Sequence, residues 1–268
     1  MDEYKFIEHV GKTYTKGSHQ DKVIRELIVR TFKPYLNPEM TCLQLGYAEG
    51  VDTQILAPLL FQLDVAEANK EFINNGLQHN LKNVRFIHTL FEDLSPEKTG
   101  KQYNAIFAIY VLEHILDVNK LLKITHSLLL PHGLLFVVVP NARALSRQLA
   151  RHMGLIKELT DLTEHDIQHG HRRVYDRIQL NRDIKGAGFE IIHQGGIFLK
   201  ILADFQLDQL YKIGILGPDQ IEGLYQLGLE YPDLCGSIFA IARKATPDSS
   251  DVSDMSNPSD SSKGKNND

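Results

Sequence analysis

Residues 42–53, Cys-Leu-Gln-Leu-Gly-Tyr-Ala-Glu-Gly-Val-Asp-Thr, restrict the fold of this chain more than any other stretch. Leu43 and Leu45 in apolar surroundings read as a buried strand, and Gly46 and Gly50 as a turn. Ile55, Leu56, Leu59 and Leu60 then form the inner face of a helix. Asp52 or Thr53 is expected to cap that helix. A strand that turns on glycines into a helix offers bare backbone to a ligand. It is the usual opening of a nucleotide-binding α/β domain.

The rest of the chain continues the alternation. A second strand, 61–67, ends on Glu67, 21 residues after Gly46. A carboxylate about 20 residues past the glycine turn can accept from both hydroxyls of a ribose. Asn69 starts a helix to about residue 79, and strands follow at 84–88 and 103–109. Leu121, Leu122, Ile124 and Leu128 mark another helix. The run Leu134-Leu-Phe-Val-Val-Val reads as a central strand covered on both faces. Strands from Phe189 and Ser237 complete the set.

The dinucleotide fingerprint needs glycine or alanine where this chain has Gly46, Ala48 and Val51, and Val51 spoils it. The spacing Gly-x-Ala-x-Gly instead resembles motif I of class I S-adenosylmethionine (SAM) methyltransferases, usually Leu-Asp-Leu-Gly-Cys-Gly-x-Gly. Tyr110-Val-Leu-Glu-His-Ile-Leu-Asp resembles the segment after the fourth strand of that superfamily. Leu130-Pro-His-Gly resembles the turn before its fifth strand, and Ala187-Gly-Phe-Glu-Ile the entry to its sixth. The resemblance covers about residues 40–200 and more weakly reaches 244. It implies a Rossmann-like, doubly wound α/β sheet of seven strands with the last one antiparallel. It also implies a SAM cofactor held by Gln44, Gly46, Tyr47, Ala48, Gly50, Glu67, Ala68, Leu90, Phe91 and Tyr110. Four positions depart from the pattern. Gln44 replaces the acid of motif I, Ala48 a glycine, Leu90 the adenine-side aspartate, and Asn104 the aspartate of the fourth strand.

Methyl transfer to a hydroxyl needs a base, and a histidine titrates near neutral pH. His114 follows the fourth strand. His169 and His171 flank Gly170, in a Gly-His-Arg-Arg-Val-Tyr run similar to the loop over the active site of small-molecule methyltransferases. These three are the catalytic candidates. Arg172, Arg173 and Tyr175 are assigned to the acceptor, since arginines clamp anions well. Ubiquinone-pathway O-methyltransferases and small-RNA 2′-O-methyltransferases carry Glu-x-x-Glu-His at this place and bind a divalent ion there. Tyr110 stands at the first glutamate, so no metal is expected. His165 and His169 have helical spacing, but Gly170 argues against a rigid helical site.

Three further segments flank this core. Residues 1–39 carry an amphipathic helix at about 20–33, which covers either the cofactor or the sheet edge. Residues 40–244 are the catalytic domain, with lid insertions expected at 141–176 and 200–235. The first holds a helix through Ala142, Leu145, Leu149 and Met153, and Asp176 with Gln179 reads as a capping box before the next helix. The second insertion carries apolar helical faces at about 201–213 and 218–229, which suit a substrate lid or a homodimer surface. Residues 245–268 are too polar to fold alone and read as a disordered tail.

The net charge of −5 with no basic stripe does not suggest a nucleic-acid partner. No run nears the roughly 20 apolar residues that span a membrane. Cys42 and Cys235 read as buried thiols, and the charged N-terminus does not read as a signal peptide. A cytoplasmic location is expected. The predicted function is methylation of a small-molecule acceptor, at a hydroxyl of a sugar or secondary metabolite. A catalytically inactive partner protein and a nicotinamide-dependent oxidoreductase are the alternatives.

Overall fold

The computed structural model describes residues 3–13 and 19–245. The residues expected to form the tail lie outside them, apart from Ala245. Two helices, α1 (Glu3–Thr13) and α2 (His19–Phe32), precede β1 (Thr41–Leu45). Then come α3 (Val51–Leu56), β2 (Gln62–Glu67), α4 (Lys70–Gln78), β3 (Val84–His88), the short α5 (Pro96–Thr99), β4 (Tyr103–Ile109), α6 (Val118–Leu128) and β5 (Leu129–Pro140). The C-terminal part contributes α7 (Leu145–His152), α8 (Glu164–Gln168), α9 (Arg177–Gly186), β6 (Phe189–Ile197), α10 (Asp204–Lys212), α11 (Pro218–Glu230) and β7 (Ser237–Lys244). No helix among the described residues is long and apolar enough to cross a membrane.

The seven strands form one sheet in the order β3-β2-β1-β4-β5-β7-β6. β1 to β5 pair in parallel, and β7 runs antiparallel to both β5 and β6. This is the seven-stranded arrangement expected from the sequence. The chain order reverses between β1 and β4, so their C-terminal ends open a crevice where open α/β sheets bind ligands.

Period-two alternation sorts the strand residues onto two cores. Ile106, Ala108, Leu135, Val137 and Val139 pack with Leu121, Leu122, Leu180 and Ile184 of α6 and α9. Ala105, Phe107, Phe136, Val138 and Phe239 face the other way, against Ile24, Leu27, Ile28 and Phe32 of α2 and Leu207 of α10. Phe32 lies with its ring centroid 4.8 Å from Phe136 and 5.9 Å from Phe239. The helix at about 20–33 therefore covers a face of the sheet.

Asp64 places a carboxylate in the interior of the sheet. Asp64 of β2 accepts from Tyr103 Oη at 2.8 Å and from Arg85 Nε at 3.1 Å, with Lys101 Nζ at 3.2 Å. Burial alone would raise its carboxyl. The bonds from Arg85, Tyr103 and Lys101 outweigh that and hold it below its ordinary value. A depressed carboxyl stabilises the fold fully above the unfolded pKa, and the contribution fades as pH falls through the folded value. Urea denaturation should show Asp64→Asn destabilised by about 2 kcal/mol near neutral pH, Arg85 being partly solvated. The gap from wild type should narrow once the pH drops below about 4, the ordinary aspartate value.

Candidate active site

The turn after β1 is held by its own residues. Gly46, Ala48 and Gly50 all adopt left-handed backbone, at φ 79°, 49° and 73°. Gln44 braces it from below: its Nε2 donates to Gly46 O at 2.8 Å, and its Oε1 accepts from Thr53 Oγ1 at 2.9 Å. Only an amide can do both, which accounts for glutamine where the related motif has an acid. Gly50, not Asp52 or Thr53, is the N-cap of α3. Asp52 instead pairs inside the first turn with Arg25 of α2, and Thr53 with Gln44. A Cβ on Gly50 would fall 2.1 Å from Tyr47 Oη, so the Tyr47 ring fills the space that glycine leaves.

The residues assigned to the cofactor come together along one edge, at the C-terminal ends of four adjacent parallel strands. Glu67 ends β2. Its carboxylate accepts from the amides of Tyr47, at 2.9 Å, and Asn69, at 2.7 Å. Burial raises its carboxyl, and the surrounding amides pull the other way. Ala68 is buried beside it, with its carbonyl 3.0 Å from His88 Nε2. Leu90 precedes the 3-10 turn Phe91–Asp93, and Phe91 Cζ lies 3.7 Å from where a Gly46 Cβ would be. Tyr110 follows β4 at φ 55°, its Oη 2.7 Å from Ser237 Oγ and its ring under Arg25. Asn104, at the far end of β4, accepts from the Thr41 amide at 2.9 Å and so joins two strands. These residues fit a nucleoside cofactor. Backbone is bare at Gly46, and Tyr47 Oη and Asp52 Oδ1 are buried with no hydrogen-bond partner among the described residues. A ribose reaching Glu67 would compete with the amides it now holds.

α1 is an element the sequence reading did not find. It lies over the same edge. Gly11 packs on Asn69, the Tyr4 ring is 6.4 Å from that of His88, and Glu3 meets Arg172 at 2.9 Å.

The loop after β4 meets the loop after α8. Glu113 is fully buried, and neither carboxylate oxygen has a hydrogen-bond partner on another of the described residues. His114 and His171 stack edge to face with centroids 4.9 Å apart. One ligand atom from each of Glu113, His114 and His171 lies within 4.8 Å of the others. Asp166 sets the His171 ring, with Oδ1 3.1 Å from Nδ1. Burial would raise Asp166, but His171, Thr163 and Arg147 hold it well below the carboxylate range, so it only accepts. His171 Nδ1 is therefore the donor to Asp166, and Nε2 is the ring atom not taken up by it. Burial pushes Glu113 up to about 7, against the pull of His171. His114 falls to about 3, first through burial and then through His171, while the Gly170 backbone pulls the other way.

Several expectations need correction. The His114 ring lies against His171, and burial holds it below the ordinary imidazole value, which disfavours the proton-accepting role. His169 is turned toward His165, Nδ1 to its carbonyl at 2.9 Å with ring centroids 4.0 Å apart. Arg172 and Arg173 do not present free guanidinium groups to an acceptor. Arg172 Nε donates to His114 O at 2.7 Å and its Nη2 to Glu3, while Arg173 reaches the carbonyls of Leu112 and Leu116. They hold the 112–116 turn in place. Tyr175 is fully buried in the core, with no exposed face for a substrate. The expectation of no metal rests on Tyr110 and Gly170, and the fold sets His171 beside the Glu113-His114 pair. Glu113 and Asp166 are the residues missed. Glu113 was visible beside His114, and Asp166 as the last residue of a Thr163-x-x-Asp capping box.

Comparison with known proteins agrees with this geometry. A family model described as a methyltransferase domain matches residues 17–194, well over half of the chain. The ubiquinone biosynthesis O-methyltransferase of Agrobacterium fabrum is 26% identical over 110 residues, 40% of this chain and 42% of that one. The match thus spans under half of that relative. The N-methyltransferase NodS of Bradyrhizobium japonicum WM9, solved with S-adenosylhomocysteine, superposes at TM-score 0.58 with 12% identity, covering 92% of this chain and 100% of that one. The [4+2]-cyclase SpnF superposes at 0.55 with 16% identity, covering 85% and 83%. At such identities the solved structures bear on the fold alone. Taken with the glycine turn and Glu67 at the strand ends, the family match shows that the chain belongs to the methyltransferase domain family.

Proposed function

We propose that this enzyme methylates a hydroxyl oxygen of a small molecule, of the sugar or secondary-metabolite kind. The observation that carries the reading is the buried, unpartnered Glu113 carboxylate facing two imidazoles beside the end of β4. A hydroxyl must lose a proton as it becomes an ether, and groups that accept protons or hold cations are what such a site requires. The acidic overall charge and the absence of a basic stripe favour a small acceptor over nucleic acid. Two buried free cysteines suit a reducing, cytoplasmic setting.

SAM supplies a methyl group on a sulfonium, so the protein has to hold the nucleophile in line with it and exclude water. In this reading Gly46, Tyr47, Ala48 and Gly50 cradle the cofactor, Glu67 accepts from its ribose, and Leu90 and Phe91 pack on its adenine. Gln44 acts indirectly, by fixing the Gly46 carbonyl. Tyr110, anchored by Ser237 and Arg25, walls the crevice between β1 and β4. Glu113 and His171 serve the acceptor, with His114 beside them and Arg172 and Arg173 fixing the turn that carries them.

Calorimetry with S-adenosylhomocysteine tests the cofactor half. Glu67→Ala should weaken binding at least tenfold, about 1.4 kcal/mol, and binding equal to wild type would remove Glu67 from the site. Gly50→Ala forces a side chain into left-handed backbone, at about 1–2 kcal/mol, and displaces the Tyr47 ring. It should lower both the melting temperature and the affinity. The acceptor half is tested by mass spectrometry on hydroxylated and aminated small-molecule panels incubated with SAM. Products methylated on oxygen are expected, and methylation confined to nitrogen would overturn the reading.

A further inference from the structure

We propose that Glu113, His114 and His171 form a binding site for one divalent transition-metal cation, with zinc as the reference ion and open positions for an acceptor oxygen. Three observations carry the site. The first is the set of donor atoms, one from each residue, within 4.8 Å of one another. Zinc holds nitrogen and oxygen ligands at about 2.0–2.2 Å, so a shared ion would draw these atoms in by roughly an ångström.

The second observation is that the one anion of the set has nothing else to do. Both Glu113 oxygens are buried without a partner on another of the described residues. Buried carboxylates are otherwise paired, hydrogen-bonded or metal-bound. Among the described residues no arginine or lysine bonds to it: Arg172 and Arg173 donate to the carbonyls of the same turn, Arg147 meets Asp166, and Arg25, whose charge reaches Glu113, pairs with Asp52.

The third is that both imidazoles are already held in place. Metal-binding histidines usually give their other N–H to a carbonyl or carboxylate. His171 is held through Nδ1 by Asp166, and the His114 ring packs edge to face against it with centroids 4.9 Å apart. Asp166 is itself fixed, since Oδ2 accepts from the Thr163 amide at 2.8 Å, from Thr163 Oγ1 at 2.8 Å and from Arg147 at 3.2 Å.

The donor set selects the class of ion. Two imidazoles and one carboxylate suit zinc, iron, cobalt or nickel, whereas calcium and magnesium take oxygen ligands. Tyr110 adds no ligand, because its Oη is bonded to Ser237. Three protein ligands leave open coordination, the arrangement of reactive rather than closed structural sites. That an acceptor oxygen takes the open position rests on the oxygen-methylation reading above. The cation site itself does not.

The test is metal binding by the full-length chain, stripped of metal and carrying no histidine tag. Zn²⁺ is titrated by calorimetry and Co²⁺ by its visible d–d absorption, both without SAM. One ion per chain is expected, with an absorption band showing imidazole ligation. Glu113→Gln and His171→Asn should each weaken binding at least tenfold, and Asp166→Asn by about 10–100-fold as a positioning residue. The exposed His152→Ala should bind as wild type does. A wild-type chain that binds no ion would overturn the site. So would binding that is unchanged in both Glu113→Gln and His171→Asn. If those variants do not fold, the Co²⁺ stoichiometry and spectrum of the wild type decide alone. S-adenosylhomocysteine binding, measured separately on the metal-free chain, keeps the two readings apart. Metal binding without it would retain the site and remove the methyl-transfer role, and the reverse would remove the site alone.

Discussion

The Glu67 carboxylate ties together the two strand ends on which the cofactor edge depends. One oxygen holds the Tyr47 amide after β1 and the other the Asn69 amide after β2. Asn69 in turn caps α4 through its side chain, so a single buried carboxylate sets the exit of one strand and the start of a helix. Gln44 completes the frame from within β1. The turn Gly46–Gly50 is thereby fixed through bonds to backbone groups. The backbone bonds leave the Tyr47 side chain to pack into the space beside Gly50, where it is buried. Left-handed backbone at Ala48 is uncommon for a residue with a Cβ, and it persists because both flanks of the turn are tied down.

The polar cluster has a different origin. Glu113 and His114 arrive on the loop after β4, and His171 on a segment more than fifty residues later. Nothing local joins them. The joining is done by Arg172 and Arg173, which bind carbonyls of the 112–116 turn, and by the Arg172 amide, which donates to Glu113 O at 2.7 Å. Guanidinium groups are well suited to this, since five donors on one planar group can satisfy several carbonyls that no helix or strand has paired. Arg172 also meets Glu3 and stacks over Phe6, so α1 shares the same anchor.

The centre of the fold was legible because β1 runs into Gly46 and β5 carries the continuous apolar run Leu134–Val139. β3 and β4 fall on the residues expected, and the Glu67 position followed from chain length after Gly46. The site was legible only in part, and each failure has a physical cause. An arginine in a polar run beside histidines has the same local pattern whether it binds a substrate or a carbonyl of a distant turn. Tyr175 shares that run but turns into the core, through a bridge with Asn141 that sequence spacing does not reveal. Asp52 has the identity of a helix cap, but Gly50 takes the capping position, and Arg25 from α2 claims the carboxylate.

His169 and His171 show how little separates a ligand from a bystander. They are two residues apart, and Gly170 between them adopts left-handed backbone at φ 78°. That reversal sends one ring back along α8 to His165 and the other across to His114. The capping box of α8 supports the outcome. Asp166 closes the box with Oδ2 and has Oδ1 left over for His171. One carboxylate thus starts the helix and orients the imidazole that follows it. The chemistry of the loop depends on a helix cap as much as on the histidine itself, and a glutamate in place of Asp166, longer by one methylene, would not keep both bonds with Thr163 and His171 held where they are.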